Sequence, residues 1–179
     1  NIFEPRGAQI EALYSLNKTR DEGFDKALVV ASTGVGKTYI AAFDSKAYNK
    51  ILFIAHREEI ILQAQRSFQN INPEKSTGLF YSAQKDFGTD MLFAIVNTLG
   101  KEEYLNENYF DRDYFDYIIV DEFHHAVSNS YQKILNYFKP KFLLGLTATP
   151  ERMDNKDVYS ICDYNVAYEM RLKEAIGRG

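Results

Sequence analysis

The 179-residue chain lacks several features that would place it in other classes of protein. It has a single cysteine, Cys162, so it has no disulfide framework, and the cytoplasm is the expected compartment. No apolar run approaches the roughly 20 residues of a membrane span, and no signal peptide is recognisable, so no membrane partner is expected. The formal net charge of −4 argues against a strongly basic nucleic-acid-binding protein. Its length and its hydrophobic fraction of 45% suit one globular domain.

The run A-S-T-G-V-G-K-T at 31–38 is typical of a phosphate-binding loop, although Ala31 stands where the strict pattern has glycine. It lies between an apolar strand and an apolar helix start, which is the context that such a loop requires. Glycines let backbone N–H groups turn toward an anion, and the helix N-terminus adds a partial positive charge. The loop therefore predicts a binding site for a nucleoside triphosphate. Its predicted residues are Thr33, Gly34, Val35, Gly36, Lys37 and Thr38.

Within this loop, two side chains have separate predicted tasks. Lys37 would contact the β- and γ-phosphates, and the Thr38 hydroxyl would hold Mg²⁺. The alternative is a glycine-rich turn that only caps a helix.

The run D-E-F-H at 121–124 follows the β-branched segment Y-I-I-V, which is typical of a buried strand. Carboxylates at the carboxyl end of such a strand lie where open α/β sheets bind ligands. Asp121 is predicted to hold magnesium, and Glu122 to orient and deprotonate an attacking water. The alternative is a solvated strand end. A metal site at the two histidines that follow is disfavoured, because neighbouring side chains rarely converge on one ion.

A third apolar strand, F-L-L-G-L, leads into T-A-T-P at 147–150. The hydroxyls of Thr147 and Thr149 can hydrogen-bond to the carboxylate loop and so couple it to other parts of the molecule. An ordinary threonine-rich turn is the alternative.

With these three motifs in this order, the chain resembles the first motor domain of superfamily 2 helicases of the D-E-x-H type. The closest resemblance is to the type III restriction-enzyme-like branch, and within it to bacterial helicases that carry a phospholipase-D-like nuclease domain. The segment V-A-Y-E-M-R-L-K-E-A-I-G-R-G is similar to the stretch that leads out of their first motor domain. The resemblance implies an ATP-dependent helicase or translocase that uses Mg²⁺. It also implies a catalytic role for His124.

The resemblance also implies residues outside the three motifs. Gln9, in P-R-G-A-Q, would contact the adenine edge. Arg57, in I-A-H-R-E-E, and Thr98, in V-N-T-L, would contact a nucleic-acid backbone, DNA rather than RNA. The alternatives are a salt bridge between Arg57 and Glu58 or another nearby acid, and a plain helix cap at Thr98. We expect both to lie at the carboxyl ends of their strands, on one face of the domain.

Strand and helix patterns alternate along the chain, which predicts an α/β fold: a RecA-like parallel sheet with helices on both faces. Residues 1–168 are expected to form this ATP-binding domain, and 169–179 to begin the linker to an absent second motor domain. The absence of an initial methionine also suggests an excised piece. Three local expectations are a helix-and-loop cover at 101–115, an edge strand at 165–168 and a helix at 169–176.

Three other functions remain open at this point. A GTPase would need an N-K-x-D guanine motif, and the chain has none. A small-molecule kinase would need a mobile lid with arginines, but Arg66, Arg112 and Arg152 are scattered along the chain. A non-catalytic ATP sensor is possible in principle, although Lys37 and Glu122 are both intact.

Overall fold

The computed structural model of the protein describes residues 4–31, 34–126, 128–148 and 166–170. For Gly34, Val35, His124 and 166–170 it describes the backbone alone. The described strands are β1 (Lys26–Ala31), β2 (Ile51–Ala55), β3 (Thr77–Tyr81), β4 (Gln84–Lys85), β5 (Met91–Ile95), β6 (Tyr117–Val120), β7 (Phe142–Thr147) and β8 (Val166–Met170). The described α-helices are α1 (Ala8–Asp21), α2 (Gly34–Asp44), α3 (Glu58–Ile71), α4 (Val96–Leu99) and α5 (Asn129–Tyr137).

The eight strands form one sheet in the order β4-β3-β5-β2-β6-β7-β1-β8. All neighbouring pairs are parallel except β3 with the two-residue β4. After β1 the chain crosses to β2, and it later returns to insert β6 and β7 between these two strands. The carboxyl ends of β1, β6 and β7 therefore meet at one place on the sheet edge, and this is where open α/β sheets bind ligands.

Apolar cores cover both faces of the sheet, which explains why β2, β6 and β7 are buried at every position. One core joins the sheet to α1, α2 and α3 through side chains such as Leu16, Ile40 and Phe68. The other joins it to α4 and α5 through side chains such as Leu99 and Ile134. The predicted parallel sheet with helices on both faces is confirmed. Among the described helices, none is long and apolar enough to cross a membrane.

Two local predictions are wrong. The segment 101–115 forms successive turns and no helix. Its buried rings, Phe110 and Phe115, lie five residues apart and both pack into the second core, and a helix would place that spacing on different faces. The helix predicted from residue 169 is wrong for Glu169 and Met170, which extend the confirmed edge strand and pair with Val30 and Ala31. Hydrogen bonding along β1 holds them extended. The domain boundary after residue 168 stays a prediction.

A buried polar network connects three elements beneath the first core. The guanidinium of Arg20 in α1 donates two hydrogen bonds to the carboxylate of Asp44 in α2, at 2.5 and 2.8 Å. The hydroxyl of Tyr117 in β6 donates a third, at 2.5 Å. Burial raises the pKa of Tyr117, and the charge of Asp44 raises it further, so the phenol stays protonated and can donate. Asp44 is only 2% exposed, so its charge depends on these partners.

We expect Arg20→Ala to destabilise the protein by about 3 kcal/mol, because the substitution leaves Asp44 as a buried, unpaired charge. Urea unfolding measures the loss. Lys50→Ala is the matched control: it breaks the ion pair with Asp90, in which both side chains are 36% exposed. That pair should contribute less than about 1 kcal/mol. Equal losses in the two variants would contradict the role given to the buried network.

Candidate nucleotide-binding site

The three sequence motifs converge at the carboxyl edge of the central strands. Lys37 and Thr38 lie near the start of α2, which follows β1, and Asp121 follows β6 directly. Strand β7 lies between β1 and β6 and ends at Thr147, which is level with Val30 of β1. The helix starts at Gly34, so Gly34, Val35 and Gly36 form its first turn. The first backbone N–H groups of a helix have no partner within the helix and suit an anion.

A buried ion pair joins the phosphate-binding loop to the carboxylate loop. Lys37 Nζ lies 2.6 Å from Asp121 Oδ1 and 3.8 Å from Glu122 Oε1. The Lys37 and Asp121 side chains are 4% and 6% exposed. Asp121 is further fixed by its own N–H, which donates to the carbonyl of Ile54 at 3.0 Å. Lys37 and Asp121, which are 84 residues apart in the sequence, thus form one compact charged site together with the adjacent Glu122.

Glu122 has a backbone conformation that side chains rarely adopt. Its φ of 55° and ψ of 51° are left-handed, and it is the one non-glycine with a positive φ in the described part of the chain. This conformation costs roughly 1–2 kcal/mol for an L-residue. Two hydrogen bonds hold the turn: Glu122 N–H donates to Asp121 Oδ1 at 2.8 Å, and His125 N–H donates to the Glu122 carbonyl at 2.9 Å. Strain of this kind is typical of functional loops.

The side chain of Phe123 anchors the same turn to the sheet. Its ring is fully buried and lies directly over Gly145 in the middle of β7. A Cβ on Gly145 would come within 2.5 Å of Phe123 Cδ1, so no larger residue fits unless the ring moves. The glycine inside an apolar strand pattern is the sequence signal for this close approach.

The donor set at this edge fits a magnesium nucleotide. A helix N-terminus and an ammonium group suit phosphates. A threonine hydroxyl and carboxylates are hard oxygen ligands of the kind that Mg²⁺ takes. Thr38 follows Lys37 in α2 and is buried like it. The buried Thr147 Oγ1 has no hydrogen-bond partner, so the hydrogen bond expected from Thr147 to the carboxylate loop is not formed in this structure.

Gln9 lies in the first turn of α1, where its Oε1 accepts a hydrogen bond from Arg6 N–H at 3.0 Å. The side chain thus binds the backbone just before its own helix, and its contact with adenine stays a prediction. Thr33 and Thr149 lie outside the residues that the structure describes. His124 belongs to a 3-10 turn, but its side chain also lies outside the description, so its catalytic role stays a prediction.

The two predicted nucleic-acid contacts lie at the same sheet edge, as expected. Arg57 follows β2 and Thr98 follows β5, and these strands are neighbours that end level with each other. Arg57 is the N-cap residue of α3 and its guanidinium lies 3.4 Å from Glu59 Oε1, in an exposed pair. The alternative of a local salt bridge is thus present, with Glu59 in place of Glu58. Thr98 is buried inside α4, whose N-cap is Ile95.

Sequence reasoning missed two features of this edge. The ring of His56, directly after β2, packs edge-on against His125 with centroids 4.6 Å apart. Tyr131 of α5 is 2% exposed, and its hydroxyl has no hydrogen-bond partner. Burial raises the pKa of Tyr131, and the charges of Asp121 and Glu122 raise it further. No motif marks either residue, since both contacts depend on how distant segments pack.

This fold and this charged edge define a phosphate-loop NTPase domain with a RecA-like sheet. The family model "Type III restriction enzyme, res subunit" matches residues 2–152, and the chain belongs to this family. It is a helicase-like ATPase motor domain that corresponds to the first motor domain of superfamily 2 helicases, as the sequence resemblance implied.

Two curated relatives match almost the entire chain. One is the EcoAI endonuclease subunit of a type I restriction enzyme from Escherichia coli, 30% identical over 98% of this chain and 23% of the relative. The other is IRC3 of Saccharomyces cerevisiae, provisionally named an ATP-dependent helicase, 29% identical over 96% of this chain and 27% of the relative. The chain therefore spans about a quarter of the length of these relatives.

A solved structure with the same fold is the SWI2/SNF2 ATPase core of Sulfolobus solfataricus in complex with double-stranded DNA. The two structures match with a TM-score of 0.68, over 92% of this chain and 38% of the chain in that structure. Its sequence is 17% identical, so this likeness supports the fold alone.

We expect Lys37→Ala to weaken binding of Mg-ATP by well over tenfold, because it removes the ammonium group of the predicted phosphate site. Isothermal calorimetry measures the affinity. The control is Lys50→Ala, which removes an exposed lysine from the opposite edge of the sheet and should leave the affinity unchanged. An unfolding measurement confirms that Lys37→Ala is folded, and equal affinity in folded variant and parent would remove Lys37 from this role.

Proposed function

We propose that this domain binds and hydrolyses ATP as the first motor domain of a nucleic-acid helicase or translocase. The observation that supports this function best is the convergence of Lys37 with Asp121 and Glu122 in a buried site at the sheet edge. Family membership supports the motor function, since the EcoAI relative is a restriction enzyme subunit and IRC3 is named as a helicase.

In this proposal Lys37 exchanges partners when nucleotide binds. Its Nζ leaves Asp121 for the β- and γ-phosphates, and the N–H groups at the start of α2 bind the same anion. The oxygens of Thr38 and Asp121 then hold Mg²⁺, which would neutralise charge on the phosphates. Glu122 orients the attacking water and accepts its proton. The rigid, left-handed turn keeps this carboxylate in place during the exchange.

Nucleic acid would bind along the same edge, at the ends of β2 and β5. Arg57 would leave Glu59 for a backbone phosphate, and Thr98 would contact the backbone from α4, which follows the neighbouring strand β5. Thr147 and Thr149 would couple this track to the carboxylate loop. We propose DNA rather than RNA, because one relative is a subunit of a restriction enzyme.

The relatives are about four times as long as this chain, which supports a second motor domain in the same full-length protein. Such a domain would supply an arginine finger to the nucleotide and the other half of the nucleic-acid track. The Gln9 amide would contact adenine near the same interface.

In the full-length protein, Glu122→Gln should spare Mg-ATP binding and lower the hydrolysis rate by about 10²–10⁴-fold, the usual contribution of a positioned general base. Steady-state phosphate release measures the rate. Glu103→Gln, an exposed acid in the turns after α4, is the control and should leave it unchanged. Asp121→Asn should instead raise the magnesium concentration that hydrolysis requires. Turnover within a factor of three of the parent for Glu122→Gln would assign the base to another residue.

Residues 1–179 alone should fold but hydrolyse ATP about 10³–10⁵-fold more slowly than the full-length protein, because they lack the proposed arginine finger. They should also bind nucleic acid no more tightly than about 10⁻⁴ M at physiological salt. Turnover of both proteins is compared with DNA, with RNA and without either, and stimulation of the full-length protein by DNA is the expected result.

Lack of ATP turnover by the full-length protein under all three conditions would refute the motor function. Rapid, strand-stimulated turnover by residues 1–179 alone would show that an arginine within them completes the site. Arg152 is the first residue to test in that case, because it follows the T-A-T-P segment.

A further inference from the structure

Buried polar atoms without hydrogen bonds are concentrated around the carboxylate loop. In the described part of the chain, four residues have such side-chain atoms: His56, Asn72, Tyr131 and Thr147. Three of these are near the loop. The His56 ring contacts His125, Thr147 ends the strand beside β6, and Tyr131 lies close enough for the charges of Asp121 and Glu122 to affect it. Unpaired buried groups are uncommon, and each needs an explanation.

Tyr131 offers the clearest case, because its ring and its hydroxyl can be considered separately. The ring packs in the second core with Val120 and Phe123, which flank the two carboxylates. Next to it, Gln132 Nε2 donates to the Ala126 carbonyl at 2.7 Å and ties α5 to the end of the loop. A phenylalanine would fill the ring's space without the desolvation cost of an unpaired hydroxyl. The hydroxyl therefore contributes nothing to stability in this conformation.

The ion pair at the same site shows when a donor would be needed. Asp121 Oδ1 accepts from Lys37 Nζ and from Glu122 N–H in this structure. If Lys37 moves to the phosphates, as the proposed function requires, Mg²⁺ would take its place at Asp121, and the Glu122 carboxylate would lose the ammonium group that lies 3.8 Å from it. A tyrosine hydroxyl can donate one hydrogen bond. In this structure the Tyr131 hydroxyl donates to no acceptor, so it is available for a carboxylate.

We propose that Tyr131 is a positioning residue for ATP hydrolysis, whose hydroxyl donates to the Asp121–Glu122 carboxylate pair once Lys37 has moved to the nucleotide. This inference rests on the proposed function. It adds a residue of α5 to the site and makes the carboxylates' hydrogen bonding depend on the nucleotide. The hydrogen bond is absent in the resting arrangement and present in the nucleotide complex, so it favours the reacting state.

The test is Tyr131→Phe in the full-length protein, which removes the hydroxyl and keeps the ring. Hydrolysis should fall by about ten- to a hundredfold, the range of one hydrogen bond to a charged group. The affinity for Mg-ADP should be unchanged, whereas the affinity for Mg-ADP with aluminium fluoride, which mimics the transferring phosphoryl group, should fall by a similar factor. Without nucleotide, the unfolding temperature should stay the same or rise.

Tyr137→Phe is the matched control on the same helix. The Tyr137 hydroxyl donates to the Phe110 carbonyl at 2.5 Å, so its removal should lower the unfolding temperature by a few degrees and leave hydrolysis unchanged. Tyr131→Phe hydrolysis within a factor of two of the parent would overturn the proposal. An unfolding temperature that falls as in Tyr137→Phe would also overturn it, because the hydroxyl would then be partnered at rest. Absence of turnover in the parent would instead refute the motor function.

Discussion

The organisation of this domain depends on the buried ion pair between Lys37 and Asp121. Each charge would be costly in the interior without the other, because removal from water is repaid only by a close partner. At 2.6 Å, the pair draws the start of α2 and the end of β6 together across β7. In the proposed function these charges would exchange each other for a magnesium nucleotide, since an ammonium group can bind phosphates and a carboxylate can bind a cation. The contact that stabilises the site is therefore also the one that nucleotide would replace.

The turn at Glu122, next to this ion pair, is rigid, and this rigidity would keep the Glu122 carboxylate in place while Lys37 and Asp121 exchange partners. Glu122 is held in a strained, left-handed conformation, and the buried ring of Phe123 is seated on Gly145. A carboxylate that must act on a water needs a fixed position while its neighbours change partners, because preorganised groups avoid reorganisation during the reaction. β7 supports this turn through Gly145, and two residues further on it provides Thr147. Movement in the T-A-T-P segment and movement in the carboxylate loop would thus be mechanically linked.

The proposed nucleic-acid edge is weakly charged in this domain. Arg57 lies beside Glu59, and the chain as a whole carries a net charge of −4. A surface of this kind cannot hold a polyanion through long-range attraction, so binding would depend on a few directed contacts and on a second domain. The contact between His56 and His125 joins this edge to the carboxylate loop through two packed rings.

The sequence by itself determined the class of fold and predicted which residues form the candidate site. Apolar strands such as β2 and β6, followed by helical patterns, indicated a buried parallel sheet, and the glycines before Lys37 indicated a phosphate-binding loop. These signals are local, because strand burial and loop geometry depend on neighbouring residues. The site residues followed from motifs of the same local kind.

Only the tertiary structure decided the contacts between distant segments. The pairing of Lys37 with Asp121, the seat of Phe123 on Gly145 and the unpaired hydroxyl of Tyr131 each depend on the strand order, which places β7 between β1 and β6. The helix expected at 101–115 failed for the same reason, since burial of Phe110 and Phe115 in the second core outweighed local preference. The packing energy of a core comes from contacts between residues that are far apart in the sequence. A local sequence pattern does not show which distant residues will make those contacts.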